Sequence, residues 1–259
     1  MSITGKDRGY LSLLFISYFI LGLVTGSFLN VCIYRLPLGK SVINPPSSCG
    51  SCGHRLSPLD MIPVLSYFLL RGRCRYCGAT YSMRYAGVEL LTGLLFMVTG
   101  LYFLPGTPLT LAFIFVAALV TITFIDLDHQ IIPDEIVVLL IISGLAYLYA
   151  RQTSYLEAAY GALFAGGMMF AIYILSRGGM GAGDVKLSFA LGLWLGFQGS
   201  IVFLLLAFIL GGVIGIFLLA TGLKTRKDPI PFGPFLCLGA LLSFLYAPYI
   251  IYYYWSIFI

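Results

Sequence analysis

Along this chain, long apolar runs alternate with short polar turns. The runs cover 10–34, 87–104, 109–126, 135–150, 157–175, 185–198, 200–223 and 234–257. Crossing a hydrocarbon core of ~30 Å takes about 20 helical residues. The pattern therefore predicts about eight transmembrane helices in an all-α polytopic membrane protein. The sixth run is the shortest and carries Gly192 and Gly196. A tilted or partial span is expected there, tolerable where it is buried against protein or lines a cavity. The first run is too long for the apolar region of a signal peptide, and no small-residue cleavage site ends it. It is expected to stay as a helix. One polar stretch breaks the alternation, at 36–86. The expected organisation is a first helix over 1–35, a loop domain over 36–86 and a seven-helix membrane domain over 87–259.

Composition supports a lipid environment. The chain is 60% hydrophobic and 10% charged, whereas soluble domains carry about a quarter charged residues. Mean hydropathy is +0.99. The net charge of +5 is small, and its placement matters more than its size. With the N-terminus outside, the inner segments hold Arg35, Lys40, Arg55, Arg71, Arg73, Arg75, Arg84, Arg177, Lys186, Lys224, Arg226 and Lys227, and the outer ones only Lys6, Arg8 and Arg151. Cytoplasmic loops are the ones enriched in Lys and Arg. Both termini are therefore expected outside the cytoplasm and the loop 36–86 inside it. The basic residues form no nucleic-acid patch. Tyr252, Tyr253, Tyr254 and Trp255 suit an interfacial aromatic belt.

The loop contains Cys49-Gly-Ser-Cys52-Gly and Cys74-Arg-Tyr-Cys77-Gly. A CxxC turn offers two thiolates from one bend, and zinc takes four such ligands in a tetrahedron. Glycine after each second cysteine suits the positive-φ residue such a bend needs. Two disulfides or four idle thiols are the competing readings; a reducing compartment disfavours disulfides. Four cysteines close a metal's shell, so the expected role is structural. Cys32 and Cys237 fall in apolar runs and read as small core residues, and His54 as a surface residue.

Four acids crowd one turn: Asp126, Asp128, Asp134 and Glu135. A fifth, Asp184, lies in Gly181-Ala182-Gly183-Asp184-Val185-Lys186. The orientation puts both segments at the cytoplasmic face. Asp126 directly follows an apolar run and should sit deepest. Two carboxylates together in a poorly solvated site share a proton and become acid and base at once. Such a pair can activate water against a peptide carbonyl. The bland alternative makes Asp184 a helix N-cap and the other acids a solvated turn. Ion or proton pathways also use intramembrane carboxylates.

The ordered set of motifs resembles the type IV prepilin peptidases, also called leader peptidase/N-methyltransferases, over nearly the whole chain. It comprises Gly26-Ser27-Phe28-Leu29-Asn30-Val31, Arg35-Leu36-Pro37, both CxxC knuckles, Pro63-Val64-Leu65-Ser66-Tyr67, Arg84-Tyr85 and Val88-Glu89-Leu90. It continues through Ile125-Asp126-Leu127-Asp128-His129-Gln130, the stretch 181–186 and Pro229-Ile230-Pro231-Phe232-Gly233-Pro234. The resemblance implies a bacterial inner-membrane aspartic protease with Asp126 and Asp184 catalytic. Its implied substrates are type IV prepilins and type II secretion pseudopilins, cut at the cytoplasmic face between a basic leader and an apolar helix. Because the loop and both cysteine pairs are present, N-methylation of the new N-terminus with S-adenosylmethionine is also implied. Asp128, Asp134 and Glu135 are candidates for binding the leader's positive charge, and Gly181 and Gly183 for admitting the substrate backbone. No Gly-rich loop marks a methyl-donor site. Glu89 is a candidate for the methyl-transfer region, or simply a helix-start carboxylate or a partner for Arg84. Gly26, Ser27 and Asn30 suit helix packing.

Two other functions compete. One is a general intramembrane aspartyl protease, which would need neither basic leader nor zinc loop. The other is a non-enzymatic ion or proton relay with the zinc loop as a docking module. Relay carboxylates sit near mid-membrane, whereas both of these lie at span ends. Oligomeric state is not legible.

Overall fold

The computed structural model of the chain describes residues 5–225 and 228–258. Arg226 and Lys227 lie outside the described residues, as do the side chains of Lys6, Arg8 and Trp255. Eight helices follow in order: α1 (Gly5–Arg35), α2 (Leu65–Leu69), α3 (Arg84–Tyr102), α4 (Thr107–His129), α5 (Asp134–Arg151), α6 (Tyr155–Leu175), α7 (Ala182–Ala220) and α8 (Gly233–Phe258). Among the described residues the only β-pairing is two isolated bridges, Ser48–Arg55 and Arg73–Thr80. Packing divides the chain into two compact units, residues 1–121 and 122–259.

In the first unit α1 and α3 pack along a seam of small residues. A Cβ at Gly22 would stand 2.7 Å from the Gly93 Cα, and one at Gly26 would stand 2.7 Å from the Glu89 Cα. Small residues four apart let helix backbones approach this closely in lipid. Further along, the Phe96 ring stacks on Phe113 at 4.3 Å between centroids. The seam also faces polar groups inward: the Thr92 and Thr99 hydroxyls donate to carbonyls one turn earlier.

The loop between α1 and α3 is built on its two knuckles, which fold alike. Cys49 N–H donates to the His54 carbonyl and Gly53 N–H to the Cys49 carbonyl; Cys74 to Ala79 and Gly78 to Cys74 repeat the pattern. Gly53 and Gly78 both have positive φ, at 70° and 72°, as the spacing predicted.

In the second unit α7 is the organising helix. Its 39 residues would reach about 58 Å as a straight rod, roughly twice a hydrocarbon core. Gly196 interrupts it with φ 66° and ψ −178°. Residues 184 and 211 would stand about 40 Å apart in a straight helix. Yet Asp184 acts electrostatically on Asp126, Asp126 binds the Gly233 N–H, and Phe232 and Phe235 flank Gly211. The first turn of α7 and its stretch around Gly211 therefore both approach the start of α8, and the helix doubles back at Gly196. The first arm lies against α6, where Gly161 and Gly192 press backbone to backbone. It also lies against α5, where Trp194 Nε1 donates to the Leu140 carbonyl at 2.7 Å.

Six of these helices are long and apolar enough to cross a membrane. Counting the two arms of α7 separately, the first of them a partial span, and adding α5 gives eight elements for the eight expected runs. That last helix has 18 residues and carries Asp134, Glu135 and Arg151 at its ends. The sixth and seventh expected runs are thus arms of one helix, and the break falls at Gly196 rather than between 198 and 200.

Candidate active site and four-cysteine centre

Asp126 sits in the last turn of α4, behind the fully buried Ile125. Its own exposure is 5%. Oδ2 accepts a hydrogen bond from the Gly233 N–H at 2.9 Å. That amide opens α8, where helical N–H groups lack partners of their own and favour an anion. A Cβ at position 233 would stand 2.6 Å from Oδ2, so only glycine admits the contact. Asp184 occupies the first turn of α7 and is 8% exposed. The Gly181 N–H bonds its carboxylate, and the two aspartates are close enough to act on each other electrostatically.

The fold therefore unites two carboxylates from separate helices. They share the wall of a cleft of about 490 Å³, lined also by Gln130, Ile131, Ile132, Glu135, Gly181 and Gly183. A Cβ on Gly183 would come 3.1 Å from the Ile132 Cβ. The missing side chains keep the cleft open beside Asp184. The remaining acids of the turn separate. Glu135 and Asp134 line the cleft. Asp134 is paired, with Lys186 Nζ donating to Oδ1 and Oδ2 at 2.9 and 3.0 Å. Asp128 is exposed and is not among the lining residues. In the sequence Gly233 has no role of its own beyond its place in the run Pro229–Pro234, because its partner Asp126 lies far away in the chain.

The four knuckle cysteines converge, with all four Sγ atoms within 4.8 Å of one another. Cys49 Sγ lies 3.8 Å from Cys77 Sγ. A tetrahedral zinc with bonds of ~2.3 Å separates its sulfurs by about 3.8 Å, so this donor set fits such an ion. The backbone N–H groups of Cys52 and Ser51 hold the Cys49 thiol down to about 6, whereas burial and hydrogen bonds to the other three thiols push Cys77 up to about 11. Asp60 braces the second knuckle. It accepts from the Ser57 hydroxyl at 2.7 Å and from Arg75 Nε at 2.7 Å. His54 is exposed, as expected of a surface residue, and its ring lies against Tyr76, 3.6 Å between centroids. Cys32 and Cys237 are buried.

Glu89 is buried in α3. Its Oε2 accepts from the Val64 N–H at 2.7 Å, and the Ser27 hydroxyl also bonds it. Asn30 Nδ2 donates to the Tyr85 carbonyl at 3.0 Å, tying α1 to the start of α3.

Comparison with known proteins finds two domain matches and several relatives. The bacterial peptidase A24 N-terminal domain matches residues 20–103, and the type IV leader peptidase family matches residues 113–216. A prepilin leader peptidase/N-methyltransferase of Aeromonas hydrophila is 36% identical, over 88% of this chain and 89% of its own. One of Bacillus subtilis (strain 168) is 34% identical over 91% and 96%. One of Myxococcus xanthus (strain DK1622) is 42% identical over 83% and 66%. No solved structure matches. With two domain matches in sequence order and identity sustained along nearly the full length of several relatives, this polytopic chain belongs to the type IV leader peptidase family.

Proposed function

We propose that the chain cleaves the basic leader from type IV prepilins and pseudopilins at the cytoplasmic face of a bacterial inner membrane, with Asp126 and Asp184 as the catalytic pair. The observation that carries the reading is the pairing itself. Two buried carboxylates, from α4 and from the first arm of α7, face one cleft. One carboxylate draws a proton from water as it attacks the scissile carbonyl, and the other protonates the departing amine. The Gly233 N–H fixes Asp126 by one oxygen and leaves its other oxygen to the reaction. Gly181 and Gly183 leave room for an extended substrate backbone. Glu135 stands at the cleft for the leader's positive charge, and Asp134 does so only if the leader displaces Lys186. Asp128 would act from outside the lining.

Cys49, Cys52, Cys74 and Cys77 would hold a structural zinc, which supplies cross-linking of the two knuckles. A loop of this size has little core of its own and gains stability from such a metal. The relatives' name supports a second activity, N-methylation of the new N-terminus, with S-adenosylmethionine as donor. Among the described residues of the first unit, both buried carboxylates, Asp60 and Glu89, already hold protein hydrogen-bond donors. No residue is assigned to the donor, and no step is derived through it.

The test is cleavage and methylation of a purified prepilin by the full chain in liposomes. Asp126→Asn and Asp184→Asn should each reduce cleavage by about 10²–10⁴-fold with folding retained. Glu135→Lys should raise the Michaelis constant for a basic leader only. Cys49→Ser/Cys52→Ser should lose bound metal and methylation but keep cleavage. Cleavage at the wild-type rate by either aspartate variant would sink the mechanism and favour the ion-relay reading.

A further inference from the structure

Between the two knuckles, the stretch Met61–Leu69 turns large apolar side chains outward. Leu65, Phe68 and Leu69 are 59%, 60% and 77% exposed, with Met61 and Ile62 beside them. In an aqueous lobe such a cluster would be an association hazard. Its depth is fixed by one hydrogen bond, from the Val64 N–H to Glu89 Oε2.

Glu89 lies inside a membrane helix. It stands about 7 Å along the axis from Arg84, where α3 begins. With 19 residues, α3 reaches about 28 Å, barely a hydrocarbon core. It has no spare turn to lift Glu89 clear of the bilayer. The neighbouring helix agrees: Glu89 packs on Gly26, about 13 Å before α1 ends at Arg35. A Glu side chain with one hydrogen bond reaches at most about 8 Å from its Cα, so the Val64 N–H lies no further out than the start of α3 and within the length of α1.

Irregular backbone at that level must satisfy its own polar groups, and most N–H groups of residues 64–70 have acceptors. Val64 N–H is held by Glu89. Leu65 N–H bonds the Pro63 carbonyl at 2.6 Å, Ser66 N–H bonds Ile62, Phe68 N–H bonds Val64 and Leu70 N–H bonds Ser66. Val64 takes φ 63° and ψ −51° to do so, a γ-turn conformation rare for a β-branched residue. α2 is two-sided. Tyr67 turns inward onto Tyr81, 5.4 Å between centroids, while Leu65, Phe68 and Leu69 turn outward. Exposed Arg71 and Arg73 follow at once.

We propose that Met61–Leu69 is a re-entrant element, with Leu65, Phe68 and Leu69 in lipid beside α1 and α3 and with Arg71 and Arg73 at anionic headgroups. Phe28, Leu90 and Leu91 of those two helices are exposed as well. The occupant is the bilayer itself. This inference rests on the membrane helices and stands apart from the peptidase reading.

The test places tryptophan at Phe68→Trp and, separately, Leu69→Trp in the full chain, reconstituted in phosphatidylglycerol vesicles. Emission of the wild type, which has two tryptophans, is subtracted. The added emission should be lost with lipids brominated near the headgroup end of the acyl chains and keep its intensity with aqueous iodide. Quenching by iodide, or by neither agent, would overturn the insertion. An Arg71→Glu/Arg73→Glu background should weaken bromolipid quenching in phosphatidylglycerol but not in phosphatidylcholine vesicles. Equal quenching in both would overturn the headgroup assignment.

Discussion

At Gly233 a single hydrogen atom in place of a side chain decides how Asp126 is held. Any β-carbon there would meet Oδ2 at 2.6 Å, a separation real contacts do not sustain. Gly233→Ala should push the carboxylate off its amide and reduce cleavage by at least tenfold, while the melting temperature in detergent changes little. An unchanged rate would mean the amide does not position Asp126. Asp60 illustrates the opposite case, a carboxylate whose work is to hold protein together. The Ser57 hydroxyl and backbone N–H, with Arg75, hold it down to about 2. Its ordinary value is about 3.9, so the unfolded chain binds its proton first as pH falls. The contribution to stability is complete above pH ~4 and is lost as pH drops through about 2. The difference in melting temperature between wild type and Asp60→Asn should stay constant above that window and shrink within it. A difference independent of pH would remove the charge from the explanation.

Among the elements, helices announced by long apolar runs were the most legible. The CxxCG knuckles and the turn before Asp184 were equally so, because their chemistry is local: a bend, two thiols, a glycine. What depended on distant partners was not legible. The Lys186–Asp134 ion pair joins α7 to α5, and nothing in either segment names the other. The same holds for Gly233 with Asp126. Glu89 was ambiguous because its partner, the Val64 N–H, lies in a loop whose depth only the fold reveals. For α7 the residue types were informative and the geometry was not. Gly196 stood out as a weak point, but its φ of 66° and extended ψ make a reversal that a periodicity cannot express. That backbone region is almost confined to glycine, and other residues pay about 1–3 kcal/mol there. Gly196→Ala should therefore lower the melting temperature in detergent by several degrees. A variant as stable as wild type would show that the reversal tolerates a side chain.

The molecule as a whole combines two units with different sources of order. The first, residues 1–121, relies on a seam of glycines and on the knuckle cysteines. The second, residues 122–259, packs helices around the doubled α7 and carries the cleft. The two domain matches, 20–103 and 113–216, echo that division.

The reversal at Gly196 also bears on how the chain enters its membrane during synthesis. The first arm, Ala182–Leu195, spans only about 21 Å, short of the hydrocarbon core, and its leading turn carries Asp184 and Lys186. A nascent chain presenting that arm alone would gain little from partitioning into lipid. The return arm is far more apolar, so insertion favours both arms together, as a pair committed only after the ribosome has passed residue 220. Asp184 would stay throughout on the side where the ribosome stands, and the cleft would be completed late in translation.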